Sequence, residues 1–262
     1  MILQRTIWGS AAVAAFALSL PSIAFGQAAP PAAPQWEVIT AVKFKPEFRL
    51  EVEAVQKEIS AAYKKLNLQR IVVETTLGDI DEMTSVAPLT KLGDLDGPSP
   101  LLRAMGEANS QKLLKRLGGY LTSVHRMTAI SLEELSVRNQ AAAGEYAAIA
   151  VLHLFPGKGP DFANFTKNDY IPMLKKANVA NYWVSQPVFG AESNTRVTIR
   201  PLQKIGELDA GPLTRILGQE GARQMAIKQA AIVQSVETSI VHLRLDLSNL
   251  PAMPEKPKPS AE

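Results

Sequence analysis

Apolar and polar residues alternate with a period of two along several short stretches of this chain. VITAVKFK (Val38 to Lys45) is one, and its β-branched residues predict a half-buried strand. RIVVETT from Arg70, MTSVAPL from Met83 and TSVHRMTAISL from Thr122 predict three more. Between the first two, Phe48, Val52, Val55, Ile59 and Tyr63 recur at spacings of three and four, which lays one apolar stripe along a helix. A second helix is predicted with Ser99 as N-cap and Pro100 in the first turn, where a missing N–H costs nothing. It should run through Leu101, Met105 and Leu113 and stop at Gly118-Gly119.

The same order then recurs. YAAIAVLHLF from Tyr146, NYWVSQPVF from Asn181, RVTIRPL from Arg196 and SVETSIVHLRL from Ser235 predict the second set of strands. Pro172 should kink the first helix of this set. The match extends to single residues: KLGDLDGPSPLLRAMG from Lys91 is echoed by KIGELDAGPLTRILG from Lys204. Across the two copies the offset stays between 110 and 113 residues, so the chain carries an internal duplication. Asp96 and Asp209 stand in the duplicated phrase as turn residues that fix the loop before the second helix.

Each copy therefore reads βαββαβ, over 36–137 and 146–248, with a linker at 138–145. Such a unit builds a four-stranded antiparallel sheet with both helices on one face. The bare face must be covered, and a tandem copy can cover it, closing a barrel within one chain. The expected class is α+β.

The ends read differently. Arg5 precedes an apolar run, Thr6 to Leu20, that is broken by Pro21 and followed by Ala24-Phe25-Gly26. That is the pattern of a secretory signal over 1–26, cut near Gly26, and it places the mature protein in the periplasm or outside the cell. A Pro/Ala linker (27–35) follows, and Pro- and Lys-rich residues 249–262 form an expected disordered tail. No later apolar segment reaches spanning length, so no membrane span is expected after cleavage. The chain has no cysteine, which excludes disulfides and thiol chemistry. Net charge is only +3, with Lys and Arg interleaved among Asp and Glu, so no nucleic-acid partner is expected.

In its duplicated strand-helix pattern, and in phrases such as NDYIPMLKKANV and YWVSQPVFG, the chain resembles the dimeric α+β barrel superfamily. The resemblance is in particular to NIPSNAP-like and antibiotic-biosynthesis-monooxygenase-like domains. The resemblance covers about residues 36 to 248 and implies two tandem ferredoxin-like repeats, their antiparallel sheets facing each other as a pseudo-dimeric barrel; sheet edges closed within one chain then favour a monomer. It also implies several functions, among them cofactor-free oxygenases, haem proteins and exported proteins with no assigned role. None of their catalytic motifs is complete here, so no catalytic residue is carried over.

Strand alternation sorts the faces. Ile39, Ala41, Lys43 and Lys45, with Ile149, Val151, His153 and Phe155, should face the barrel interior. If Val197 and Ile199 lie under the helices, Arg200 faces inward or sits at the rim. His125 and Glu237 correspond in the last strands, and Trp183 matches the smaller Val72. The candidate pocket is thus Lys43, His125, His153, Trp183, Arg200 and Glu237. Only three histidines are present, with no metal-ligand spacing, so no metal is expected.

The primary reading is an exported protein binding a small, mostly apolar molecule in the barrel between the repeats. The alternative is a cofactor-independent oxygenase with His153, or the His125 and Glu237 region, as general base. No cofactor is predicted, although haem held by His153 or His125 is a third reading, and an interaction module with a filled barrel is a fourth.

Overall fold

The computed structural model describes residues 36–138, 144–209 and 212–250. The expected leader and Pro/Ala linker, and the tail beyond Leu250, lie outside the described residues. The first half runs β1 (Trp36–Phe44), α1 (Arg49–Lys65), β2 (Ile71–Leu77), β3 (Glu82–Leu89), α2 (Pro100–Met105), α3 (Glu107–Tyr120) and β4 (Leu121–Ser131). After a two-residue β5 (Val137–Arg138), the second half runs β6 (Tyr146–Leu154), α4 (Gly159–Phe165), α5 (Ile171–Lys176), β7 (Asn181–Phe189), β8 (Thr195–Leu202), α6 (Pro212–Ala230) and β9 (Val233–Leu243).

Local chemistry explains most of the boundaries. Ser99 Oγ accepts from the Leu102 N–H at 3.3 Å, and Pro100 occupies the first helical position, as expected. The helix then breaks at Gly106, whose φ of 76° is open to glycine without strain, and α6 breaks likewise at Gly218 with φ 67°. Gly118 and Gly119 do not end α3, which continues to Tyr120 before Leu121 turns into extended backbone. Pro172 acts one turn early. The helix widens over Thr166–Tyr170, relieving the clash between the proline ring and the preceding turn.

In the duplicated phrase the residues that fix the turn are Asp94 and Glu207 rather than Asp96 and Asp209. Asp94 accepts from the Thr90 and Lys91 N–H groups at 3.1 Å each. Glu207 accepts from the Gln203 and Lys204 N–H groups at 2.8 and 3.2 Å.

The strands form one antiparallel ladder in the order β4-β1-β3-β2-β9-β6-β8-β7, and β7 pairs back onto β4. The result is a closed eight-stranded antiparallel barrel, with β5 added along β7. Its middle is filled by Ile39, Val86, Met127, Ile149, Val197, Ile199 and Val241, among others, all 5% exposed or less. Two further cores lie outside the barrel wall, under the helices: one around Phe44, Val52 and Val55, the other around Leu154, Phe162 and Leu174.

Each half also reaches across to the other. Leu135, leaving β4, is buried in the helix-side core of the second half, and β5 pairs with β7. Leu247, leaving β9, is buried in that of the first half, and Asn249 pairs with Arg70. Arg70 is itself buried, donating to Ser60 Oγ, the Leu247 carbonyl and Gln56. Paired backbone therefore extends past residue 248, where the tail was expected to begin.

Candidate functional site

Register decides which candidate side chains share a space. In the β1–β3 and β1–β4 ladders, Ile39 stands opposite Val86 and Met127, so Lys43, Glu82 and His125 share the inward face with them. In the second half Val151 stands opposite Val197 and Glu237, and His153 opposite Thr195 and Ser235. Lys43, His125, His153 and Glu237 thus converge on one mouth of the barrel. Lys43 is bonded to Asp79 of the β2–β3 turn. His153 takes the matching place in the second half. Its Nδ1 lies 3.4 Å from Glu192 of the β7–β8 turn, and its Nε2 lies 3.8 Å from Glu237.

Trp183 and Arg200 are elsewhere. Trp183 faces inward at the opposite end, 7% exposed, with the Arg138 guanidinium 5.6 Å from its ring centroid. It stands opposite Ile199 as Ile71 stands opposite Val86, so its counterpart is Ile71 and not Val72. Val197 and Ile199 line the interior rather than the helix side, because both sheet faces are apolar here and composition does not distinguish them. Arg200 consequently points outward, under the helices, beside Tyr170.

The barrel closes along two seams, and each carries a glycine pressed against the neighbouring strand. At the β4–β7 seam, a Cβ on Gly190 (φ 85°) would lie 2.5 Å from the Arg126 carbonyl and 3.0 Å from Met127 Cα. At the β2–β9 seam, a Cβ on Gly78 (φ 124°) would meet Ser239 Cβ at 3.2 Å. Met127 and Ser239 correspond in chain order, and the smaller residue stands at the second seam. Two cavities adjoin it, both lined by Gly78, Thr238 and Ser239.

One cavity, of about 590 Å³, lies at the barrel mouth against Asp79, Ile80, Val151 and Glu237. The other, of about 460 Å³, is a cleft on the outer face of the second half's sheet. Ala148, Ala150 and Ile240 form its floor, and Leu77, Leu208, Tyr170 and Tyr182 its sides. The two tyrosine rings are 5.2 Å apart. Burial pushes both phenols up, Tyr182 well above the ordinary value, so both are neutral donors. Tyr182 is hydrogen-bonded to Thr198. Arg200 opens into the same cleft with no hydrogen bond or ion pair among the described residues.

Sequence reasoning missed the tyrosines, Ser239 and Glu37. Pro172, two residues after Tyr170, was the available signal. Glu37 is 2% exposed, and burial pushes its carboxyl up to about 7 against the pull of Arg138. Nothing in an alternating strand marks such a residue.

No family model and no curated protein matches the chain. Solved structures do. A proposed monooxygenase from Lactobacillus acidophilus is 7% identical with a TM-score of 0.55, covering 80% of this chain and 94% of its own. An anthrone oxidase-like protein is 13% identical with a TM-score of 0.54, covering 80% and 91%. Chlorite dismutase from Candidatus Nitrospira defluvii is 12% identical with a TM-score of 0.52, covering 81% and 92%. The fold is a dimeric α+β barrel. At these identities the likeness extends to the fold alone.

At His153 and in the outer cleft the residues present do not suit haem, and His125, the other expected ligand, stands half-buried at the same mouth. Both ring nitrogens of His153 face carboxylates, and the adjoining cavity is walled by Asp79 and Glu237 rather than by the broad apolar slot a porphyrin needs. His242 lies on the outer face, its ring 5.0 Å from Tyr146 and its Nδ1 3.7 Å from Glu74. No histidine lines the outer cleft, and its raised phenols disfavour the phenolate that could bind iron. Among the described residues no cluster of three or more His, Asp or Glu side chains could hold a metal ion. None of the helices among the described residues is long and apolar enough to cross a membrane.

Proposed function

We propose that this protein binds a small, mostly apolar molecule carrying an anionic group, in the cleft on the outer face of the second half's sheet. The observation that carries this is Arg200, an unpaired guanidinium in a cleft otherwise lined mainly by Ala, Ile, Leu and Tyr. Such a pocket suits a ligand with one carboxylate or enolate, held by the fork of Arg200 and the neutral Tyr170 hydroxyl. The site has moved from the barrel axis expected from the sequence, because the axis is packed. It still depends on both halves, since Leu77 and Gly78 form part of its wall.

Binding is favoured over oxygenase chemistry by the cleft's own titratable groups. The solved structures include proteins named as a monooxygenase and as oxidase-like. A cofactor-independent oxygenase needs a general base at its substrate, and this cleft offers only raised phenols and a guanidinium. The reading also takes the chain as an exported monomer built from two tandem ferredoxin-like repeats, with the leader at 1–26 removed.

The test is native mass spectrometry with an absorbance scan on mature protein exported by an expression host. A retained organic acid that is lost from Arg200→Gln supports the reading. An identical retained mass in both proteins, or a ligand without an acidic group, overturns it. If both come out empty, thermal-shift screening of aromatic and aliphatic carboxylates decides, and no response from the parent protein ends the proposal.

A further inference from the structure

We propose that Glu37, Arg138 and Glu133 form a proton-operated switch at the end of the barrel opposite the mouth: ionisation of Glu37 draws Arg138 inward from Glu133, and protonation returns it. Glu37 lies two places before Ile39 on the inward face of β1, is only 2% exposed, and its Oε2 has no hydrogen-bond partner. A buried carboxyl left bare is unfavourable, and far more so once it is charged. The strands around it offer little to pair with. On the inward face β3 brings Pro88, β4 Ala129 and Ser131, and β7 Trp183 and Ser185, none of them charged. The charged groups that act on it are Arg138 of β5 and Glu133 of the turn after β4.

Arg138 is close to both carboxyls. Its Nη2 lies 3.4 Å from Ser131 Oγ, and Ser131 is the inward residue next to Ala129, which stands opposite Glu37. The guanidinium is also 5.6 Å from the Trp183 ring centroid. In this structure its Nε and Nη2 donate to the two oxygens of Glu133 at 2.7 Å each. The Glu133 side chain is 42% exposed, so water weakens its hold. An ionised Glu37, in dry surroundings, attracts the same cation more strongly. Burial is the larger influence on Glu37 and keeps it protonated up to about 7, so the exchange falls near neutral pH. Val137 and Arg138 pair with Tyr182 and Asn181, so the proton acts on the segment through which the first half grips the second. The second half has no copy of the device, because Ala147 stands where Glu37 stands here.

The test is a pH titration of tryptophan fluorescence in the mature exported protein carrying Trp36→Phe, where Trp183 is the remaining tryptophan. Infrared difference spectra of the protonated carboxyl band follow the Glu37 proton in the same samples. Both signals should show one transition near pH 7, and Glu37→Gln should abolish both. Arg138→Gln should abolish the fluorescence transition yet leave the carboxyl titrating, at a higher pH, because the cation that favours ionisation is gone. Glu133→Gln should move both transitions to lower pH, since it removes a like charge and the competitor for Arg138. Glu133 is exposed, so this variant decides the matter should Glu37→Gln misfold. Trp183 emission constant between roughly pH 5 and pH 9 would overturn the proposal. So would a fluorescence transition that persists in Glu37→Gln or Arg138→Gln, or midpoints unmoved by Glu133→Gln.

Discussion

The β4–β7 and β2–β9 seams do the same topological work with opposite results. Both close the barrel, both include a register shift, and both bring a positive-φ glycine against the partner strand. At β4–β7 the closure is tight: Met127 fills the interior, and Gly190 approaches the backbone of Arg126 and Met127. At β2–β9 the corresponding residue is Ser239, which cannot reach as far, and both cavities open beside it. Two halves alike in element order thus give one asymmetric molecule. Strand pairing is equally extensive at both seams, four residue pairs each, and the two cavities adjoin the second.

The strongest way to break this contrast is at the glycines. Gly190→Ala would place a methyl 2.5 Å from a carbonyl oxygen in left-handed backbone, and should cost roughly 3–5 kcal/mol in urea unfolding. Gly78→Ala meets side-chain atoms at 3.2 and 3.3 Å that can shift, and should cost about 1–2 kcal/mol. Equal losses at the two positions would mean that the seams are equally tight.

Met127→Ser should come next, at about 3 kcal/mol, by emptying space in the packed interior. The reverse exchange, Ser239→Met, should change stability by no more than about 1 kcal/mol, because it grows into an existing cavity.

Glu37 sharpens the comparison through pH. It lies on β1, next to β4 and the packed seam, whereas β6 has Ala147 at the corresponding place beside β9. Its folded carboxyl titrates at about 7 instead of the ordinary 4.5, so the fold binds the proton more tightly than the unfolded chain does. This contribution is fully favourable below about 4.5 and is lost as pH rises through about 7, to the extent of about 3 kcal/mol. Glu37→Gln should therefore match the parent near pH 4 and exceed it in stability above pH 7, and parallel pH–stability curves would refute the assignment. The smallest effect on stability is expected from Arg200→Gln, within about 0.5 kcal/mol, since Arg200 has no hydrogen-bond or ion-pair partner among the described residues.

Much of this architecture was legible in the chain. The period-two stretches placed the strands, with the last one observed to begin two residues earlier, at Val233. The duplicated phrase marked two like halves, and alternation in β1 and β6 put Lys43 and His153 on the inner face. The His153–Glu237 contact follows from that alternation once β6 and β9 are neighbours. Trp183 faces inward as expected, though at the opposite end, whereas Arg200 was misplaced for a physical reason. In β7 and β8 both faces are buried, one in the barrel and one under helices, so hydrophobicity carries no sign of direction.

Hydrophobic periodicity and the internal duplication are local or sequential properties, and they determined the elements, their order and the closed α+β barrel they form. Whether that barrel is hollow depended on how side chains from eight strands meet at its axis, which no single stretch encodes. The tertiary structure filled the axis, turned Arg200 outward and placed the two cavities beside one seam. The physical reason is that packing depends on which residues meet across strands, here Met127 with Ile39 and the smaller Ser239 with Ile149, and those partners are chosen by register rather than by sequence proximity.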